Sequence, residues 1–284
     1  MRPRNVQEKI GFFVLKLCAG LVVLILGMIL HDIVSKGWRQ VNWTFLTAAP
    51  SMGMTEGGIF PAIMGTFLVT VITAVCAVPL GMGCAIYLNE YAGDNKVTRL
   101  IRMSIRNLSG VPSIVYGLFG VVLFVNLLGL GTSLLAAGMT LGLLTLPWTI
   151  TASEEALKNV PQSYRDGALA LGATKWKALK TNVLPYAIPG MLTGTILGLA
   201  RAAGETAPIL FTGAAFFLPF LPRSLSDQFM ALPYHLYIMA TQHHDLEKVR
   251  PIAYGTALVL IALILAMNLF AIALRYKLRK LKKE

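Results

Sequence analysis

Arg201 and Glu205 interrupt an apolar stretch long enough to lie inside a membrane. A charged side chain near the centre of a bilayer costs about 2.5 kcal/mol or more, so it is usually partnered and functional. Glu205 follows Arg201 by one helical turn, and an arginine fork matches the oxygens of phosphate-like anions. The spacing predicts an anion path in which Arg201 faces the anion, Glu205 holds or gates it, and Thr206 lies beside them. A purely structural salt bridge is the alternative.

Small residues at four-residue spacing precede this pair, namely Gly190, Gly194, Gly198 and Ala202. Such spacing lets two membrane helices pack closely. At about 100° per residue, Glu205 lies about 20° from Gly198 around the helix, and Arg201 lies about 60° from it. Both charges are therefore expected on the packed face of the helix rather than toward lipid.

A second stretch, between residues 153 and 185, is amphipathic and too polar to span a membrane. Gly172 lies in its middle, where glycine costs about 1 kcal/mol relative to alanine in a helix. This cost predicts either a close backbone approach or a bend between two short helices. A rigid amphipathic hairpin of this kind suits docking into a groove of a soluble partner.

The composition indicates what must position these residues. Of the 284 residues, 56% are hydrophobic and 13% are charged, whereas soluble domains carry about 25% charged residues. Apolar runs of about 20 residues match the thickness of a bilayer, in which helices satisfy their own backbone. We predict an all-α integral membrane protein with about six transmembrane helices, at 11–34, 58–88, 112–128, 133–151, from 188 past 205, and 252–276.

The chain is expected to form one transmembrane domain, 1–284. It would contain a cytoplasmic coupling loop at about 153–185 and a periplasmic segment at about 216–250, with a short helix at 230–241. Pro79 predicts a kink or break in the second helix. The net charge of +12 is attributed to cytoplasmic loops rather than to nucleic-acid binding, because lysine and arginine concentrate in alternate loops. Their distribution places both termini in the cytoplasm.

The sequence offers little for catalysis or for metal binding. Cys18, Cys76 and Cys84 lie in apolar segments and are expected to be packing residues. His235, His243 and His244 lack the supporting ligands of a metal site and are expected on a solvated periplasmic surface. No GxxxxGK[ST] loop is present in the sequence. We therefore expect a non-catalytic chain without a cofactor of its own.

The polar stretch resembles the coupling loop of ABC importer permeases, whose pattern is Glu-Ala-Ala, three residues, Gly, nine residues, Ile-x-Leu-Pro. The spacing is kept by Asp166-Gly167-Ala168, Gly172 and Leu184-Pro185, and the departures are Asp166, Gly167 and Asn182. The stretches 57–66, 78–91, 110–119 and 201–208 are similar to the PstA permeases of phosphate-specific ABC importers. The resemblance extends over nearly the whole chain.

The resemblance implies the type I ABC importer permease fold in a bacterial inner membrane. It implies three partners: a second permease chain of the PstC type, a PstB-type ATPase dimer that holds ATP and Mg, and a periplasmic phosphate-binding protein of the PstS type. Sulfate or molybdate remains an alternative substrate. An ATP-independent secondary transporter or channel, and a membrane enzyme acting on a phosphorylated lipid, are alternatives of other classes.

Overall fold

The computed structural model describes residues 6–280, which are largely helical. The helices in chain order are α1 (Val6–Gly37), α2 (Trp43–Thr47), α3 (Phe60–Ile86), α4 (Lys96–Leu108), α5 (Ser113–Gly120), α6 (Leu134–Lys158), α7 (Gln162–Ala170), α8 (Lys175–Ala178), α9 (Leu184–Ala203), α10 (Ala207–Thr212), α11 (Leu232–Thr241) and α12 (Leu246–Lys280). A two-residue hairpin pairs β1 (Pro50–Ser51) with β2 (Glu56–Gly57). Apart from this hairpin, the described fold agrees with the all-α prediction.

Five helical stretches are long and apolar enough to cross a membrane: Ile10–Gly37, Phe60–Tyr91, Leu134–Lys158, Lys175–Ala203 and Leu246–Ala273. A sixth span exists if the bent pair Lys96–Leu108 and Ser113–Leu127 counts as one. The prediction of about six spans is therefore confirmed. Its third helix is corrected, because Ser113–Leu127 is too short on its own and meets α4 at 104°.

Helix α4 is the main element that the hydropathy pattern missed. Asn95 caps it by accepting a hydrogen bond of 2.8 Å from the Thr98 amide. The helix carries basic residues along one side, and its apolar residues Val97, Leu100 and Ile101 are exposed. The hydropathy of a polar, basic helix of this length is too low to predict a membrane span. Its amphipathic spacing does predict a helix.

Helix α3 continues through Pro79, so the predicted break there is wrong, and a kink at Pro79 stays a prediction. The irregularity comes later, where a widened turn at Tyr87–Tyr91 follows the helix. The Ala92 amide closes this turn by donating to the Tyr87 carbonyl over 2.8 Å. One residue more per turn changes the direction of the side chains that follow.

Helices α6 and α9 pack through the predicted glycine stripe. A Cβ atom on Gly194 would lie 2.1 Å from Ala152 Cβ, and one on Gly190 would lie 2.9 Å from Ala156 Cβ. The close approach therefore uses alanines on α6 as the partners of glycines on α9. This contact confirms the prediction that the small residues permit tight helix packing.

Substituting Gly194 with alanine is expected to destabilise the protein by about 1–3 kcal/mol, because the helices must separate to admit the new methyl group. The double variant Gly194→Ala with Ala152→Gly moves the methyl group to the other helix and should recover most of the loss. Unfolding temperatures of the detergent-solubilised protein measure both effects. Equal stabilities of the single and double variants would contradict the packing geometry.

Two of the three histidines near the end of the chain's long polar segment differ from the prediction of a solvated surface. His235, on α11, is 2% exposed, and His243 is also buried. His243 Nε2 lies 2.8 Å from the Gly53 carbonyl oxygen. His244 is exposed as predicted. Tertiary packing of α11 against α3 and α12 buries side chains that looked polar in sequence.

Burial lowers the pKa of His235 to about 4, from an unfolded value of 6.5. The neutral form is favoured in the folded state, so stability is full above the unfolded pKa and falls as the pH drops toward the folded one. We expect a loss of about 2 kcal/mol between pH 7.5 and pH 5.

Thermal unfolding at several pH values tests this expectation. The His235→Met variant should show a flatter pH profile, because it removes the imidazole whose pKa is lowered. The substitution breaks no hydrogen bond at Nδ1, which has no partner among the described residues. The exposed His244 provides the matched control, and His244→Met should keep the wild-type slope. A wild-type slope in His235→Met would show that other groups cause the pH dependence.

Candidate functional site

The charged pair lies at a break in the fifth long helix. Helix α9 ends at Ala203, and α10 begins at Ala207, so the predicted continuous helix past Glu205 is corrected. The Glu205 amide donates to the Ala202 carbonyl over 3.2 Å in a tightened last turn. Pro208 has no amide hydrogen to continue the ladder, which explains why the helix stops here.

Arg201 and Glu205 form an ion pair across this break. Arg201 Nε lies 3.3 Å from Glu205 Oε1. The Arg201 guanidinium also lies 5.2 Å from the centre of the Trp148 ring on α6, a cation–π distance. Thr206 is half-buried at the end of the break. The structure thus brings the three predicted path residues together and adds Trp148, which the sequence reasoning missed.

The side chains of Arg201 and Glu205 differ in their exposure to solvent. The Glu205 side chain is 16% exposed and lies on the packed side, whereas the Arg201 side chain is 53% exposed. The prediction that both point to the packed face is therefore wrong for Arg201. Arg201 lies about 60° from the glycine stripe, at its rim, and its long side chain extends over Trp148 toward the open side.

This arrangement can bind an anion. Among the described residues, Arg201 has one ion-pair partner, and it uses Nε for that contact. Its two terminal amino groups make no hydrogen bond to described residues, so they remain available as paired donors. A guanidinium braced by a carboxylate and an indole is pre-positioned for a planar or tetrahedral oxyanion.

The polar stretch folds into two short helices, α7 and α8, joined at Gly172. Gly172 has φ +80 and no atom within 4 Å of a Cβ built on it. The bend interpretation of this glycine is therefore right, and within the described residues no other segment approaches Gly172 closely. Helix α6 continues to Lys158, so the first residues of the predicted loop at about 153–185 belong to this helix.

Hydrogen bonds fix the bend on both sides of Gly172. The Gly172 amide donates to the Leu169 carbonyl over 2.9 Å, and the Ala173 amide donates to the Ala168 carbonyl over 3.1 Å. Thr174 caps α8 by accepting from the Lys177 amide over 3.3 Å. A left-handed residue after the helix is the usual way to end it, and glycine adopts that conformation without strain.

The bend exposes an apolar tip. Leu171 is 90% exposed, and Leu169 and Trp176 are also exposed. Asp166 and Gly167 face solvent, while Ala168 is buried. These three apolar side chains lie on the two short helices and on the bend between them.

Leu184 and Pro185 lie apart from this tip, at the start of α9. Leu184 packs against the buried cluster that contains Leu88, Leu157 and Leu179. About 25 Å of helix separates Leu184 from Arg201, at 1.5 Å per residue. The candidate coupling residues and the candidate anion residues are therefore two sites, connected by α9.

Glu154, near the end of α6, forms an ion pair with Arg102 of α4, whose Nε lies 3.1 Å from Glu154 Oε1. The sequence reasoning missed this contact because the two residues are far apart in the chain. Within the described residues, no group of three or more histidine, cysteine, aspartate or glutamate side chains forms a metal site.

Comparisons with known proteins agree on one family. The model of the "Binding-protein-dependent transport system inner membrane component" matches residues 77–281. The probable ABC transporter permease protein YqgI of Bacillus subtilis (strain 168) is 34% identical over 279 residues, which cover 94% of this chain and 95% of the relative. The phosphate transport system permease protein PstA of Mycobacterium leprae (strain TN) is 35% identical over 288 residues, covering 97% and 92%.

The fold has a counterpart among solved structures. A chain of the bacterial ABC transporter involved in the import of the acidic polysaccharide alginate superimposes with a TM-score of 0.65 and 11% identity, over 95% of this chain and 97% of that one. This neighbour supports the type I importer permease fold. The chain belongs to the binding-protein-dependent transport system inner membrane components, as a multi-pass, PstA-like ABC transporter permease.

Proposed function

We propose that this chain is one of two permease subunits that enclose a phosphate path, with Arg201 on that path. The observation that carries the proposal is the half-exposed Arg201 guanidinium at a helix break, held by Glu205 and Trp148. An exposed charge at membrane depth needs a partner or a watery path. Relatives named as phosphate permeases, 31–35% identical, support phosphate as the anion.

In this proposal Arg201 donates to the anion, Glu205 orients Arg201, and Thr206 contributes a hydroxyl at the end of the break. Glu205 also offsets part of the positive charge, which would keep the anion from binding too tightly to leave. A second permease chain would complete the path, since one chain leaves Arg201 open on one side.

Coupling to ATP would occur through α7 and α8. Asp166, Gly167, Ala168 and the bend at Gly172 would dock into a dimeric ATPase of the PstB type, and Leu184 and Pro185 would carry its movement into α9. This chain would be non-catalytic, with ATP and Mg bound by the ATPase.

The proposal also includes two further partners and the orientation of this chain in the membrane. A PstC-type permease would pair with this chain, and a PstS-type protein would deliver phosphate from the periplasm. Both termini would lie in the cytoplasm, because lysine and arginine concentrate on that side. The whole chain, 1–284, would form one transmembrane domain.

Uptake of radiolabelled phosphate by proteoliposomes that hold the chain with its partner subunits tests the proposal. ATP-dependent uptake is the expected result. Uptake of sulfate or molybdate instead of phosphate would show that phosphate is not the substrate. Uptake without ATP would contradict the ATP-driven importer mechanism.

A further inference from the structure

Helix α7 contacts the membrane helices through few apolar side chains. Ala168 is its one buried residue in the described structure, and the ring centre of Tyr164 lies 5.3 Å from that of Tyr186 on α9. A cleft of about 640 Å³ opens beside it, with Glu90 and Arg165 on its wall. The turn after α8 is packed differently, since Leu179 and Val183 belong to a buried apolar cluster. The position of α7 therefore depends largely on polar contacts.

Arg165 provides the strongest of these contacts. Its Nε and Nη2 atoms lie 3.1 Å and 2.7 Å from the two carboxylate oxygens of Glu90. Nη1 donates to the Val160 carbonyl and Nη2 to the Leu157 carbonyl, both over 3.0 Å. The two charged side chains are 15% and 14% exposed. A bidentate and largely buried pair of this kind fixes direction as well as distance.

Glu90 lies on the widened turn Tyr87–Tyr91 that ends the α3 span. Asn89 Nδ2 donates to Glu90 Oε1 over 2.7 Å and holds the carboxylate. The same turn receives a second arginine, because Arg102 Nη2 donates to the Leu88 carbonyl over 2.6 Å. The end of α3 is thus connected to α7 on one side and to α4 on the other.

We propose that Arg165 is a positioning residue that passes the displacement of α7 to the cytoplasmic end of α3 through Glu90. This inference rests on the proposed function, in which α7 docks to the ATPase. Arg165 is adjacent to the exposed Asp166, so one helix presents its outer side to the partner and its inner side to Glu90. A push on α7 then moves α3 directly, in addition to the path through α8 and α9.

The test uses the complete complex in proteoliposomes and compares Glu90→Gln, Arg165→Gln and the double variant. Arg99→Gln is the matched control, because Arg99 and Asp94 form a cytoplasmic pair at 3.6 Å that is 75% and 85% exposed. Three quantities are measured: the complex recovered, the phosphate taken up per ATP hydrolysed, and hydrogen exchange of the amides in residues 162–170. The double variant leaves neither charge of this pair buried without a partner. A loss of coupling in it is therefore not caused by an unpaired buried charge that destabilises the fold.

We expect about tenfold less phosphate per ATP in each single variant, no further loss in the double variant, and about tenfold faster exchange in α7, with normal recovery of the complex. The control should match wild type. Wild-type coupling in the variants would overturn the proposal. A parallel fall in complex recovery, ATP hydrolysis and uptake would also overturn it, by showing a merely structural role. If the wild-type complex itself shows no ATP-driven uptake, the proposed function fails, and the exchange rates alone decide whether the pair holds α7.

Discussion

Arg201→Gln should lower ATP-driven phosphate uptake by at least about 30-fold while the complex still assembles. Glutamine keeps hydrogen-bonding capacity but loses the positive charge and the paired donors that a phosphate oxyanion requires. Removing one partner of a charge-assisted contact costs about 2–5 kcal/mol, which corresponds to this fold-change or more. Radiolabelled phosphate uptake in proteoliposomes, with and without ATP, measures the effect.

Two further variants separate a path residue from a structural one. Glu205→Gln leaves the Arg201 charge in place, so we expect weaker positioning and a smaller loss of uptake than in Arg201→Gln. Trp148→Leu removes the indole below the guanidinium and should also have a moderate effect. If Arg201→Gln prevents assembly of the complex, the salt bridge with Glu205 has a structural role, which is the alternative interpretation. If assembled Arg201→Gln transports normally, Arg201 does not lie on the path.

Gly172→Ala should weaken docking of the ATPase by about tenfold. Gly172 has φ +80, and the left-handed region costs other residues about 1–2 kcal/mol. Relief of that strain would redirect the exposed tip at Leu171. Titration of the ATPase subunits onto the purified permease pair measures the affinity, and uptake per ATP measures the coupling.

Gly167→Ala is the matched control, in the same unit and with the same substitution. Nothing lies within 4 Å of a Cβ on Gly167 either, but Gly167 lies inside helix α7, where alanine is favoured by about 1 kcal/mol. It also restores the alanine of the family pattern. Docking at or above the wild-type level is expected. Equal losses in both variants would show that the tip tolerates no methyl group, whatever its backbone conformation.

The chain itself determined the fold class and the location of the two candidate sites. Apolar runs of membrane length are a local property, so about six spans were predicted without any tertiary information. The glycines at four-residue spacing on α9 likewise predicted close packing, and the contact between Gly194 and Ala152 confirms it. Gly172 in the middle of a polar stretch predicted either a bend or a close backbone approach, and the positive φ of Gly172 supports the bend.

Several boundaries needed the structure. The break at Gly204–Thr206 depends on the missing amide of Pro208 together with the close packing of α9 on α6, and the hydropathy pattern continues through it. Helix α4 is too polar to be recognised as part of a span, and its 104° bend from α5 depends on how the two elements pack.

The direction of individual side chains was decided by tertiary structure alone. Helical periodicity placed Arg201 on the packed face, yet its length and its contact with Trp148 carry it to the open side. His235 is polar in sequence but is buried by α3 and α12. The pair of Arg165 and Glu90 joins residues 75 positions apart, and no local pattern specifies such a partner. Sequence alone determined the long apolar helices and the glycines that they carry, because hydropathy and residue spacing are local. The partners of the charges depend on packing between distant segments, so only the folded chain decided them.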